Sequence, residues 1–369
     1  MPEAQHLFSE AEVERSRRYA RPLYVVRIAE TLLAGAVLAA FAWTAVGDAL
    51  DGALDALPWW LEEPLFTTVT LLSVTLVTLP VSLWAGWLRE RRFGLSTQTL
   101  PGWIGDRAKG LVIAAVLAGA ALDLFEEVVR ASPGWWPLFD GAGAVGLIVA
   151  LGFLAPVVLE PVFNRFRPLP DETLAGRLRA LADRAGVPVR DVLVADASRR
   201  TRKLNAYVSG LGATRRVVVF DTLLEHLREP EVAAVVAHEL GHRRARHVEK
   251  LTLLGAAAAA GAVAFLWVLL GPHAGEPRRV PELLLLFGLM EVVAAPVGAW
   301  ISRRYERIAD RTALELTRDP AAVEAVLRSL ALVNLADLAP PRALHMLFST
   351  HPTIPERIAA ARASATVRA

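Results

Sequence analysis

The sequence predicts a polytopic α-helical membrane protein of about six spans, with a mainly α-helical domain that contains a small β-hairpin. Three observations support this fold class. Of the 369 residues, 54% are hydrophobic, above the roughly 45–50% of average soluble domains. The excess is concentrated in a few long apolar runs. The polar residues are concentrated in one long segment between these runs and in another after the last of them.

Six apolar runs are each long enough to cross a bilayer, which takes about 20 helical residues. They cover residues 23–47, 64–89, 110–130, 142–163, 251–271 and 281–301. Tryptophans near the ends of several runs, such as Trp84, Trp87 and Trp300, are typical of membrane interfaces. Buried helices of a large soluble protein are the alternative, and six such runs argue against it.

The runs divide the chain into five parts. An N-terminal segment (1–22) precedes a block of four spans (23–163). A first polar segment (164–250), a pair of spans (251–301) and a second polar segment (302–369) follow. We expect the two polar segments to fold together as one unit.

We expect the first polar segment to contain both helices and strands. Leu174 to Ala185 has helical spacing, whereas Val192–Val194 is a short β-branched run typical of a strand. Asn205–Leu211 and Arg215–Phe220 flank a short connection at 212–214, which predicts the β-hairpin.

Composition excludes several classes of function. A net charge of +2 gives no indication of nucleic-acid binding. The chain has no cysteine, which excludes disulfides and thiol chemistry. Any metal site must therefore use histidine, aspartate and glutamate.

The sequence His238-Glu239-Leu240-Gly241-His242 is an H-E-x-x-H pattern in a segment expected to be helical, since Pro230 suits a first helical turn. On a helix, His238 and His242 project from the same side and can bind one zinc ion. Glu239 points aside and can act as a general base on a water molecule. Two surface histidines beside a glutamate are the alternative interpretation.

A catalytic zinc needs a third protein ligand. Glu306 is the best candidate, and Asp310, one turn later, can orient a ligand histidine through a hydrogen bond. The spacing alone leaves open a solvated, salt-bridged helix face. His247, together with Arg243, Arg244, Arg246 and Lys250, is interpreted as juxtamembrane charge rather than as a ligand.

The chain resembles the CAAX prenyl protease type 1 family of integral-membrane zinc metalloproteases, to which the heat-shock protease HtpX is distantly related. The resemblance runs from about residue 10 to residue 360. It rests on the H-E-x-x-H pattern and on 163–170, Asn205-Ala206-Tyr207, Asp221-Thr222-Leu223-Leu224, Ser302-Arg303 with Glu306 and Asp310, and His351-Pro352 with Arg357. It implies a gluzincin-like catalytic zinc domain, with Glu306 as the third ligand and Asp310 behind the ligands.

The resemblance also implies further roles. Asn205 would lie beside the bound peptide, His351 would stabilise the oxyanion, and Arg357 would bind a carboxylate or brace the site. Glu291, within the sixth predicted span, would line an intramembrane chamber. A turn asparagine, a loop histidine and an ordinary salt bridge are the respective alternatives for the first three.

These observations predict a zinc metalloendopeptidase with one zinc ion per chain. The expected substrate is a peptide or protein, with or without a lipid, cleaved near its C-terminus, and the expected environment is a lipid bilayer. An HtpX-like quality-control protease is the alternative within the same class. A transporter or scaffold with a structural zinc is the non-enzymatic alternative, although such a site has no need of Glu239.

Charge predicts the orientation. Arginines precede the first run and follow the second and sixth, whereas the connection between the first two runs is acidic, with Asp48, Asp51 and Asp55. The positive-inside rule then places both termini and the zinc domain in the cytoplasm. In a bacterium the membrane would be the cell membrane.

Overall fold

The computed structural model describes residues 6–210 and 212–366. The N-terminal half is built of long helices. They are α1 (Glu10–Trp43), α2 (Ala45–Leu54), α3 (Trp59–Leu83), α4 (Leu100–Ala131) and α5 (Trp136–Leu154). Two of them run on through a π-helical turn, α3 through Trp84–Arg89 to Glu90–Arg92 and α5 through Ala155–Leu159 to Glu160–Phe163.

The second half mixes short strands with helices. Its strands are β1 (Phe166–Pro168), β2 (Asp191–Ala195), β3 (Ala206–Ser209) and β4 (Arg216–Phe220). Its helices are α6 (Glu172–Arg184), α7 (Asp221–His226), α8 (Glu229–Arg244), α9 (His247–Leu270), α10 (Val280–Thr317), α11 (Pro320–Val333), α12 (Arg342–Phe348) and α13 (Ile354–Thr366).

Within the described residues, five helices are long and apolar enough to span a membrane, in agreement with a polytopic fold. They are Glu10–Trp43, Trp60–Arg92, Trp136–Leu154, His247–Leu270 and Val280–Thr317. The remaining predicted run, 110–130, lies in α4, which has 32 residues and carries Asp123, Glu126 and Glu127 near its end. α4 is not among these five helices.

Two of the carboxylates between α3 and α4 are buried. Glu63 and Glu126 are 1% and 0% exposed, and both contact the guanidinium of Arg130, which lies 3.1 Å from Glu126. Pairing with an arginine reduces the cost of burying carboxylates among apolar helices.

The strands form one four-stranded sheet in the order β1-β2-β4-β3. β3 and β4 pair antiparallel, which confirms the predicted hairpin, and β3 lies at the sheet edge. β2 pairs parallel with β4, and the three-residue β1 adds an antiparallel strand outside it. The hairpin is thus half of a small mixed sheet.

One hydrophobic core joins the two polar segments. It contains Leu178 and Leu240 from the first segment and Leu327 and Ile358 from the second. Phe8 and Val13, near the start of the chain, also belong to it. The second segment enters through α10, a single helix of 38 residues that leaves the apolar region and packs along α8.

The connection between α3 and α4 is fastened to the segment that leads into β3. Ser96 and Thr201 form an isolated β-bridge, and Arg200 pairs with Asp106 at 2.7 Å. Nearby, Lys203 lies 2.9 Å from Glu90. The approach to the edge strand is therefore anchored on the membrane helices.

Candidate metal centre and active site

The H-E-x-x-H residues lie on α8, as predicted. This helix begins at Glu229 with Pro230 in its first turn, and it runs to Arg244. His238 and His242 are one turn apart, and their rings lie 4.9 Å from each other at the helix surface. Both side chains are partly buried, at 13% and 21% exposure.

Glu306 reaches these rings because α8 and α10 pack closely. A Cβ atom on Gly241 would lie only 3.0 Å from the Cα of Ala309 and from the Cβ of Thr312. A side chain there would push the helices apart, so the glycine within the motif permits their approach. Glu306 is one turn before Asp310 on α10, and both carboxylates point toward α8.

The three candidate ligand groups converge on one point. His238 Nε2 and His242 Nε2 lie 3.2 Å apart, and they lie 3.3 and 3.2 Å from the two oxygens of Glu306. A tetrahedral zinc about 2.0–2.2 Å from each ligand would space the ligand atoms roughly 3.3–3.6 Å apart. Glu306 Oε2 is buried without a hydrogen-bond partner. The donor set and its spacing therefore fit a zinc ion, as does this unsatisfied oxygen.

The outer nitrogen of His238 faces a charged pair. Its Nδ1 lies 2.9 Å from Asp310. Arg357, from α13, donates from Nε and Nη2 to the two oxygens of Asp310 at 2.9 and 2.6 Å. The two predicted residues Asp310 and Arg357 thus lie together behind His238, and the bidentate contact fixes the carboxylate.

The outer nitrogen of His242 faces a second histidine, His247. The two Nδ1 atoms lie 3.0 Å apart, and the His247 ring stacks on Tyr305 with centroids 4.0 Å apart. His247 is 1% exposed, so its interpretation as juxtamembrane charge was wrong. The chain turns back through Arg246 at φ 54°, and this turn is what directs His247 at the motif.

Glu239 lies beside the candidate ligands in a cleft of about 540 Å³. The cleft is also lined by Ala206, the first residue of the edge strand, and by Asn205, which precedes it. Apolar side chains line its depth, namely Ala234, Val235, Val323 and Leu327. An extended peptide can therefore lie between β3 and α8, with an apolar side chain in the depth of the cleft.

His351 also lies at the cleft. Its Nε2 is 3.4 Å from Glu306, and the side chain is 59% exposed. Glu291 lies elsewhere, 15 residues before Glu306 on the apolar part of α10, or about 22 Å along the helix axis. Its side chain is exposed, so the structure does not bring it to the cleft.

The carboxylates differ in their pKa values. Burial raises the pKa of Glu239, which makes it a better proton acceptor. Burial also opposes the ionisation of Asp310, but hydrogen bonding from His238 and the charge of Arg357 outweigh it and lower the pKa to about 2. For Glu306, the neighbouring rings of His238 and His242 outweigh burial and hold the pKa well below its usual range. Asp310 and Glu306 are therefore ionised at neutral pH.

Two family models match the chain. Residues 168–365 match peptidase family M48. Residues 1–165 match the model described as CAAX prenyl protease N-terminal, five membrane helices. The two matches together extend over almost the whole chain.

Several known proteins are similar in sequence. The uncharacterized metalloprotease YhfN of Bacillus subtilis (strain 168) is 31% identical over 308 residues, or 79% of this chain and 71% of that protein. CAAX prenyl protease 1 of Saccharomyces cerevisiae (strain ATCC 204508 / S288c) is 35% identical over 182 residues, or 48% of this chain and 40% of that protein. The match therefore spans less than half of the yeast protein.

The fold has a counterpart among solved structures. The crystal structure of S. mikatae Ste24p superimposes with a TM-score of 0.85, and the alignment covers 96% of this chain and 90% of that one. The sequences are 24% identical, so this comparison establishes the architecture.

Proposed function

Because the chain belongs to peptidase family M48, we propose that it is a membrane zinc endopeptidase that removes C-terminal residues from peptide or protein substrates. The family and the membrane helices make it a multi-pass membrane metalloprotease, a hydrolase of peptide bonds. The observation that carries the proposal is the convergence of His238, His242 and Glu306 at the spacing of zinc ligands, beside Glu239.

In this proposal His238, His242 and Glu306 hold one zinc ion per chain. When bound, the ion supplies Lewis-acid polarisation of the scissile carbonyl and of the attacking water. Asp310 and His247 accept hydrogen bonds from the outer nitrogens of the two histidines, which leaves each Nε2 free for the metal.

Glu239 acts as the general base. It takes a proton from the attacking water as the oxygen bonds to the carbonyl carbon, and it delivers that proton to the leaving amine as the carbon–nitrogen bond breaks. His351 Nε2 faces the same point as Glu306 and donates a hydrogen bond to the developing oxyanion. Arg357 keeps Asp310 ionised and in place.

The similarity to the CAAX prenyl proteases motivates the substrate class. We propose a substrate with an apolar or lipidated residue near its C-terminus, presented along β3 beside Asn205. Glu291 belongs to this proposal because an exposed carboxyl within a span is costly in lipid and suits a water-filled chamber.

A pair of peptides tests the substrate class. A C-terminal farnesyl-cysteine peptide and its unmodified form are incubated with the purified zinc-loaded protein, and the products are identified by mass spectrometry. We expect faster cleavage of the farnesylated form. Cleavage of unfolded membrane proteins, with equal or no cleavage of the two peptides, would favour the HtpX-like quality-control function instead.

We also propose that the catalytic domain faces the cytoplasm, as the charge asymmetry of the connections indicates. Because the chain has no cysteine, Ser198→Cys and Asp51→Cys introduce unique labels on opposite sides. An impermeant maleimide on intact cells should label only the second. Labelling of the first alone would reverse the orientation.

A further inference from the structure

The free edge of β3 faces the cleft. Ala206 is paired with Val219, and the N–H of Phe220 donates to the carbonyl of Asn205 at 3.0 Å. In an antiparallel pair, alternate residues exchange hydrogen bonds with the partner strand, and the residues between them direct their N–H and C=O groups away from it. The residues that direct their backbone away from β4 are Leu204, Ala206 and Val208.

Side chains already form hydrogen bonds with backbone groups at two of these three positions. The N–H of Leu204 donates to Asn334 Oδ1 at 2.8 Å, and Asn334 Nδ2 donates to the carbonyl of Leu204 at 2.9 Å. At the other end, Arg243 Nη2 donates to the carbonyl of Val208 at 2.5 Å. Ala206 lies between these contacts and lines the same cleft as Glu239.

We infer that the edge strand pairs with a single substrate residue, at Ala206, and that Asn334 selects substrates whose chain ends soon after it. The inference rests on the proposed peptidase function and adds a reason for C-terminal specificity. The amide of Asn334 makes the two hydrogen bonds with Leu204 that a further substrate residue would make.

The direction of the substrate follows from strand pairing. Antiparallel addition is slightly more stable per residue than parallel addition, and it makes the substrate run from the Val208 end of β3 toward Leu204. Residues on one strand face alternate sides, so the second residue after the one paired with Ala206 would meet Asn334. A substrate with a longer tail must displace the Asn334 side chain, or its tail must bend away from the line of β3.

Asn334 is held firmly in this place. It follows the last residue of α11, and the next residue, Leu335, has a φ of 53° and is 3% exposed. Leu335 packs against Tyr19 of α1, and the N–H of Leu338 donates to Ser16 Oγ at 3.0 Å. The amide is therefore positioned by the membrane helix α1 as well as by α11.

A peptide series tests the inference. The peptides share the residues before the scissile bond and carry tails that lengthen by one residue at a time. The full chain with zinc is assayed as wild type, Asn334→Gly and Asn334→Asp. Asn164→Ala is the matched control, because Asn164 Oδ1 accepts from Arg200 at 3.2 Å, and the 2.7 Å pair of Arg200 with Asp106 still anchors the segment before β3.

For the wild type and the control, we expect kcat/KM to fall roughly tenfold once the tail reaches Asn334, as for one or two lost hydrogen bonds. Asn334→Gly should flatten this dependence on tail length. Asn334→Asp keeps the acceptor for the Leu204 N–H but loses the donor. Its dependence on tail length should therefore be weaker than that of the wild type and stronger than that of Asn334→Gly. Thermal melting and zinc content establish that each variant is folded.

A flat dependence in the wild type overturns the inference, as does an unchanged step in folded Asn334→Gly. The wild-type series decides even if the glycine variant does not fold. Cleavage with a flat dependence leaves the proposed function standing, whereas no cleavage of any peptide overturns the proposed function and this inference together.

Discussion

The two histidines proposed as ligands are supported in different ways. His238 contacts the carboxylate of Asp310, which in turn pairs with Arg357. The Nδ1 of His242 contacts the Nδ1 of His247, whose ring stacks on Tyr305. An anionic acceptor makes a stronger hydrogen bond than a neutral one, by roughly a factor of two. The two sides of the proposed metal site should therefore tolerate change unequally.

The partners of the two histidines also come from different parts of the chain. His247 lies five residues after His242 on the chain, so it forms with the motif itself. Asp310 and Arg357 come from the second polar segment and arrive only when α10 and α13 pack against α8. We infer that the His238 side of the site depends on assembly of the whole domain, whereas the His242 side is local.

Glu306→Ala should have the largest effect because Glu306 contacts both sides. Removal of a ligand should abolish stable zinc binding, and activity should fall to background. Zinc content by atomic absorption and peptide cleavage are measured on the same sample. Full zinc and activity in this variant would mean that another carboxylate is the ligand.

Glu239→Gln should lower turnover by about 10²–10⁴-fold, the range for general acid–base catalysis. Zinc content should stay at the wild-type level, because Glu239 belongs to neither side of the ligand set. Single-turnover cleavage by the metal-loaded variant measures the effect. Unimpaired turnover with metal bound would falsify the assignment of Glu239 as the base.

Asp310→Asn should weaken zinc affinity or the rate by about 10–100-fold, as expected for a hydrogen-bond partner of a ligand. The amide still offers an oxygen to His238 but places a donor against Arg357. Competition with a chelator gives the affinity. Arg357→Lys serves as a milder companion that keeps the charge but loses the bidentate contact.

His247→Phe should have the smallest effect, roughly tenfold in zinc affinity. Phenylalanine keeps the stacking on Tyr305 but cannot accept a hydrogen bond from His242. His247→Gln, with an amide oxygen, should recover part of the loss. An effect larger than that of Asp310→Asn, under the same chelator competition, would contradict the ranking of the two sides.

Local patterns in the sequence were sufficient to predict much of this architecture. The apolar runs predicted the membrane helices, and the hairpin followed from two β-branched stretches around a short turn. The placement of His238 and His242 on one helix face followed from their spacing alone. These features depend on residues that are near one another along the chain.

Long-range pairings could not be predicted in this way. β1 has three residues and pairs with β2 across an intervening helix, so its strand propensity is too weak to identify it. The contact between Asn334 and Leu204 joins positions 130 residues apart. His247 was missed because its neighbours Arg244, Arg246 and Lys250 are charged, and only the left-handed turn at Arg246 reveals its direction.

The helix α10 runs without interruption from the apolar region to the candidate metal site. It is 38 residues long and contains Pro296 within its apolar part, and Glu306 lies about 15 Å farther along its axis. Because the helix is continuous, we expect a change of its tilt in the bilayer to shift the Glu306 carboxylate relative to α8. Tilt depends on hydrophobic thickness. We therefore expect the geometry of the ligands, and with it the strength of metal retention, to depend on the thickness of the surrounding membrane or detergent micelle.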